Sequence, residues 1–255
     1  MVEIKTDLSV DAMREAGRVV AQALAAVQEA AGIGVSLREL DEAARAVLRE
    51  AGATSPFLNY HPAWAPMPFP AVICASVNDA IVHGIPTGYR LRDGDLVSID
   101  CGATLDGWVG DSAVTFSVGA ARPDDVRLAD TAREALEAGI AAAVPGNRIG
   151  DIAHAIGRVC RSAGYGIPQD FGGHGVGRTM HEGPEVPNEG RAGRGMVLRH
   201  GMVLAIEPML LGGGRDAYYA DADGWTLRTS DGSRAAHAEH TVAITDAGPR
   251  VLTVG

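Results

Sequence analysis

The spacing of apolar positions changes period several times along this chain. From residue 10 to 31, Met13, Ala16, Val20, Ala23 and Leu24 recur at helical spacing, and Gly32 closes the run. Apolar residues three and four apart line one face of a helix, so the stretch is predicted to be an amphipathic helix packed on a core. Ser36-Leu37-Arg38-Glu39 then has the form of a capping box, in which the glutamate reaches back to the serine N–H. A second helix is predicted from there to about Ala51, where Gly52 stops it. From 54 to 118 the pattern turns strand-like. Helical spacing returns over 124–143 and 149–163, closed by Gly164, and strand-like runs follow.

The second set of helices echoes the first. Gly34, Leu37, Leu40, Ala43, Val47, Ala51 and Gly52 match Gly146, Ile149, Ile152, Ala155, Val159, Ala163 and Gly164, every pair 112 residues apart. The constant offset and the shared order of helix, helix and strands point to a duplicated half. Two related halves, approximately 1–120 and 121–255, would build one α/β domain of the α+β type. A central curved antiparallel sheet would carry the helices on its outside, and a site would lie between the halves.

Composition narrows the functional classes. At 46% hydrophobic, the 255 residues can bury a sizeable core, and the net charge of -10 argues against a nucleic-acid groove, which needs clustered lysine and arginine. Cys74, Cys101 and Cys160 form an odd, sparse set that fits a reducing compartment. The first thirty residues show no signal-peptide pattern and no stretch approaches a membrane span. A cytoplasmic protein with no membrane partner is expected.

Candidate chemistry lies in the strand-like segments. Asp106-Gly107 between β-rich runs predicts a two-residue hairpin loop. Leu105 would then face Trp108 and Gly102 would face Asp111, leaving Asp100 on the face of Asp111, diagonally across the pair. Diagonal neighbours are about 7–8 Å apart, close enough for two carboxylates to lean onto a metal pair about 3.5–4 Å apart. A one-residue slip would put them on opposite faces.

Residues 171–184 carry four glycines in their first seven positions, which predicts an irregular strand or loop whose backbone approaches something closely. His174 and His181 are therefore not a helical zinc-binding pair; one suits a metal and the other a substrate. Glu207 ends a buried-looking strand on the side of Val203 and Ala205, and Glu239 shares a strand face with Thr241 and Ala243. His83 stands at the end of an apolar strand, before a Gly/Pro turn. Should Asp100, Asp111, His174, Glu207 and Glu239 converge, about four negative charges would meet at one spot and two divalent cations would balance them.

Taken in order, these segments resemble the bacterial type I methionine aminopeptidases, whose pita-bread fold belongs to metallopeptidase family M24. The resemblance rests on Met13-Arg14-Glu15-Ala16-Gly17, Ser76 through Pro86, Gly94 through Asp100, Gly110-Asp111, Gly173-His174-Gly175, His181-Glu182, Ile206 through Met209, Asp223-Gly224-Trp225 and Glu239-His240-Thr241. It implies that Asp100, Asp111 and Glu239 hold one metal, and that Asp111, His174, Glu207 and Glu239 hold the other. A water or hydroxide between the metals would attack the carbonyl of an N-terminal methionine, with Glu207 as proton shuttle. His181 would stabilise the tetrahedral intermediate and His83 would contact the substrate or the leaving amine. The oxygen-rich ligand set suits Mn, Fe, Co or Zn without choosing among them.

The resemblance further implies a monomer that acts on peptide or nascent-protein N-termini, with transient ribosome contact. Tyr60, Trp225, Phe57 and Phe69 would line the methionine pocket. The chain departs from the family in a stretch after His61 that is a few residues longer, and in Met180, where phenylalanine is frequent; the pocket is expected to be looser there. Two alternatives share the fold: a peptidase of the Xaa-Pro aminopeptidase or prolidase type, and a catalytically inactive peptide-binding homologue.

Overall fold

A computed structural model describes residues 2–255. The first half contributes helices α1 (Asp7–Ala30) and α2 (Leu37–Glu50) and strands β1 (Ile73–Val77), β2 (Ala80–Val82), β3 (Leu96–Leu105) and β4 (Trp108–Ser117). The second contributes α3 (Pro123–Ala142), α4 (Ile149–Ser162), β5 (Gly172–Gly175), β6 (Glu182–Pro187), β7 (Val203–Ile206) and β8 (Met209–Leu211). Strands β9 (Tyr218–Ala220), β10 (Leu227–Thr229), β11 (Ala235–His237), β12 (Glu239–Thr245) and β13 (Gly248–Val251) complete it.

The main sheet runs β1-β3-β4-β12-β7-β5-β6, with β13 on β12, and its pairs are antiparallel. The halves meet where β4 pairs β12 through Ala113–Glu239 and Ser112–His240. Helix α1 lies on β3 and β4, while α3 and α4 cover the second half. An apolar core lies under each pair of helices, one under α1 and α2 around Leu40, Ile73 and Ile99, and one under α3 and α4 around Ile152, Ile156 and Leu204.

The 112-residue offset read in the sequence reappears in the backbone. Helices α2 and α4 start and end 112 residues apart, and so do the ends of α1 and α3. Gly34 and Gly146 take φ of 89° and 90°, and Gly52 and Gly164 take 67° and 82°. These left-handed values stop each preceding segment at equivalent points. The Ser36–Glu39 capping box is present, and Asp151 accepts the Arg148 N–H in the equivalent place. Helix limits shift slightly from the sequence reading, since Thr6 caps α1 and Pro123 opens α3.

One close approach ties α1 to the sheet. A Cβ on Gly17 would lie 2.3 Å from the Leu252 carbonyl oxygen, and one on Gly110 of β4 would lie 2.8 Å from the Gly17 nitrogen. Backbone on both sides leaves no side chain free to yield. Gly17→Ala is therefore expected to lower unfolding stability by about 3 kcal/mol, the upper part of the overpacking range. Urea unfolding measures it, and a change below about 0.5 kcal/mol would contradict the packing described.

Candidate metal centre and substrate pocket

The β3–β4 hairpin has the register that Asp106-Gly107 implies: Leu105 pairs Trp108, Gly102 pairs Asp111 and Asp100 pairs Ala113. Gly102 is a requirement of the pocket. A Cβ there would sit 2.9 Å from Phe57 Cε1, so its absence lets the phenyl ring settle against the hairpin. Asp111 is fixed from β12: its N–H donates to Thr241 Oγ1 at 2.9 Å and its carbonyl accepts from the same hydroxyl at 2.8 Å. Thr241 thereby locks β4 to β12 next to Glu239.

The glycine-rich run is a short strand followed by a loop. Cβ atoms on Gly173 and Gly175 would fall 2.1 Å from the Ala205 carbonyl oxygen and 2.2 Å from that of Gly183. The close approach predicted there is thus to the flanking strands, and it seats His174 deep between them. His174 Nδ1 bonds the Gly175 carbonyl at 3.0 Å. Since a carbonyl only accepts, Nδ1 carries the proton and Nε2 offers a lone pair, as a metal ligand needs. That nitrogen lies 3.5 Å from Glu207 Oε1.

Asp100, Asp111, His174, Glu207 and Glu239 line one cavity of about 940 Å³. Asp111 and Glu239 are only 3% and 2% exposed, and no lysine or arginine pairs with any of the four carboxylates among the described residues. Oxygens of Asp100, Asp111 and Glu239 are buried without any hydrogen-bond partner. Burial pushes Asp100 up to about 7 and Glu207 up to about 8. It raises Asp111 and Glu239 far above the usual carboxylate range, with the neighbouring carboxylates adding to the effect. Orphaned, hard oxygen donors around one volume fit divalent cations, which would replace the protons these groups otherwise retain. Ligand atoms of Asp111, His174 and Glu239 all lie within 4.8 Å of one another.

Aromatic rings form the adjoining wall. Phe57 meets Phe69 edge-on with centroids 6.5 Å apart, Phe69 meets Trp225 at 5.1 Å, and Tyr60 lies 6.4 Å from Trp225. Met180 is buried in the same cluster. The loop after His61 does not displace Phe69. Asn59 N–H donates to the Phe69 carbonyl and Phe69 N–H to that of Tyr60, at 2.8 and 2.9 Å, so residues 61–68 bulge outward between them. The bulge has its own contacts: Trp225 Nε1 donates to the Met67 carbonyl at 3.0 Å, and Trp64, 62% exposed, stacks beside His83 at the mouth.

His181 stands at the cavity mouth, its ring 4.3 Å from that of His174, with Nδ1 at 3.2 Å from the Tyr60 hydroxyl. His83 follows β2 with φ of 59°, and its Nδ1 is buried without a partner. Burial, with His237 and His181 nearby, lowers its pKa to about 4 and keeps it neutral. Two residues of this centre escaped the sequence reading. His237 is buried with Nε2 3.3 Å from Glu207 Oε2; its signal was the His-Ala-Glu alternation, which puts 237 and 239 on one side of a strand. Trp64 has no such signal, because only folding of the loop brings it to the mouth.

The comparisons with known proteins agree with this geometry. A family model described as "Metallopeptidase family M24" matches residues 11–246. Methionine aminopeptidase 1 of Mycobacterium tuberculosis is 56% identical over 252 residues, covering 96% of this chain and 92% of that protein. Methionine aminopeptidase 1 of Bacillus subtilis is 42% identical over 99% of both. The crystal structure of methionine aminopeptidase from Thermotoga maritima superposes with a TM-score of 0.95 at 39% identity over the whole of both chains. Prolidase from Pyrococcus furiosus, at 24% identity and a TM-score of 0.78, shares the fold.

The buried carboxylates also set a pH dependence. Asp100 and Glu207 keep protons in the folded, metal-free protein up to about 7 and about 8, whereas unfolded carboxyls lose them near about 4. The folded state therefore holds more protons across that window, and its stability falls as pH rises through it. Metal binding needs the deprotonated ligands. Added Mn(II) is expected to raise the thermal midpoint more at about pH 8 than at about pH 6. An equal or larger shift at the lower pH would contradict the assignment.

Proposed function

We propose that the chain, which belongs to the methionine aminopeptidases of metallopeptidase family M24, removes the N-terminal methionine from peptides and nascent proteins, with residues 1–255 acting as one catalytic domain. The observation that carries this reading is one set of side chains beside an apolar aromatic pocket: the buried carboxylates of Asp111, Glu207 and Glu239, the half-buried Asp100 and one lone-pair imidazole, with no lysine or arginine paired to them among the described residues. Asp100, Asp111 and Glu239 would hold one divalent ion; Asp111, His174, Glu207 and Glu239 would hold the second. Co, Mn, Fe and Zn all suit these donors. When bound, the ions supply Lewis-acid polarisation of the scissile carbonyl and lower the pKa of water.

The protein's own groups do the rest. Phe57, Tyr60, Phe69, Met180 and Trp225 take up the thioether side chain and exclude water from it. With a pKa raised to about 8 by burial, Glu207 can hold a proton near neutral pH and pass it on. His181, its Nδ1 at the Tyr60 hydroxyl, directs Nε2–H toward oxygen charge that develops on the carbonyl. Neutral His83, beside Trp225 and Phe171, accepts from the peptide N–H or the departing amine. Action on nascent chains fits a cytoplasmic enzyme that meets the ribosome transiently, and membership of the family fits a monomer. Among the described residues no helix is long and apolar enough to cross a membrane.

Metal-stripped protein is expected to release no methionine from Met-Ala-Ser, and to regain activity with Mn(II) or Co(II). Asp111→Asn should lower kcat/KM by more than about 100-fold, the upper limit typical for loss of an outer-shell partner. Cleavage of Ala-Pro-Ser with Met-Ala-Ser untouched would replace this reading with the Xaa-Pro one. No cleavage of either by the folded, metal-loaded protein would replace it with a binding role.

A further inference from the structure

We infer that His237 is a positioning residue whose ring N–H holds one oxygen of Glu207, leaving the other to face His174. The inference rests on the reading of Glu207 as a metal ligand and proton carrier.

His237 ends β11, two residues before Glu239, and is 1% exposed. Its backbone is held on both sides by one hydroxyl: its N–H donates to Thr115 Oγ1 at 2.9 Å and its carbonyl accepts from that atom at 2.7 Å. Thr115 is itself in contact with Ser98 Oγ at 2.7 Å, so β3 and β4 together set the position from which the imidazole projects. The ring cannot reach water, and Nε2 has no hydrogen bond of normal geometry. A buried polar atom left in that state is costly, so its nearest partners deserve to be identified. They are Glu207 Oε2 at 3.3 Å and Glu239 Oε2 at 4.0 Å.

The two oxygens of Glu207 are thus divided between two histidines. Oε1 lies 3.5 Å from His174 Nε2 and Oε2 lies 3.3 Å from His237 Nε2. The Glu207 carbonyl is held as well, by Asn188 Nδ2 at 3.0 Å. As metal ligands both carboxylates would be ionised and could only accept, and both face the same nitrogen of His237, so the fitting tautomer carries its proton on Nε2. At 3.3 Å the pair is already within hydrogen-bonding distance, and a turn of the ring or of the carboxylate aligns the N–H with Oε2. Glu207 then has one oxygen committed to a donor and one free, which prevents it from turning both toward the same ion or swinging out of reach. Outer partners of this kind orient ligands and tune the affinity of a metal site. The competing role is that of a ligand, since donor atoms of Glu207, His237 and Glu239 also lie within 4.8 Å of one another.

Metal titration separates these roles. His237→Gln keeps an N–H donor at similar reach but is a poor ligand, and His237→Leu fills the volume with no donor. Metal-free circular dichroism establishes that each variant is folded, with His237→Ala in reserve for Leu. Calorimetric titration with Mn(II) is first made on the parent protein: two ions per chain support the reading of the site, and fewer than two overturn that reading and the inference with it. Given two, His237→Gln is expected to keep both affinities within a few-fold of the parent. His237→Leu is expected to bind one ion about 10–100-fold more weakly and to lose kcat with little change in KM. Unchanged affinities in the Leu variant overturn the inference alone, because the histidine is then idle. Loss of an ion in the Gln variant also overturns it, because the histidine is then a ligand.

Discussion

Four carboxylates share one cavity that no lysine or arginine lines among the described residues, and the rest of the structure serves to keep them there. Each ionised carboxylate taken from water costs several kcal/mol unless a partner replaces the solvent. The protein supplies few partners: it leaves oxygens of Asp100, Asp111 and Glu239 bare and braces the backbone around them instead. Thr241 clamps Asp111, Thr115 clamps His237, and glycines at 102, 173 and 175 allow strands and rings to close in. Stability is given up locally, and what results is a rigid set of oxygen donors of the kind a divalent cation requires.

The doubled architecture explains how such a site is held without collapsing. Each half presents strands on one side and covers the other with its own helices and apolar core. The junction of β4 with β12 brings Asp111 beside Glu239, while β3 adds Asp100 and the β5–β7 region adds His174 and Glu207. Carboxylates and the His174 imidazole from both halves therefore converge on one cavity. The aromatic cluster of Phe57, Phe69 and Trp225 fills the adjoining floor, so an apolar wall and a cluster of carboxylates meet at one boundary.

Much of this was legible in the sequence because it follows from local rules. The Asp106-Gly107 turn determines the hairpin register, and the register alone puts Asp100 and Asp111 on one face. The 112-residue offset reappears in helix limits and in paired left-handed glycines, since each glycine marks a backbone conformation that other residues resist. His237 was less legible. A break at Ala238, whose N–H donates to the Pro208 carbonyl instead of a ladder partner, separates β11 from β12, so the strand that carries Glu239 stops short of the histidine. The course of the 62–68 bulge was not legible at all. Its shape depends on the pinch between Asn59, Tyr60 and Phe69 and on the Trp225 indole reaching Met67, contacts between residues far apart in sequence.

The most direct measurement of the central claim is anomalous scattering from a crystal of the protein grown with manganese. The expected result is two peaks in the carboxylate cavity, both within bonding distance of Asp111 and Glu239, with His174 and Glu207 on one and Asp100 on the other. Fewer than two peaks there, with the four carboxylates instead protonated and bonded to one another, would contradict it.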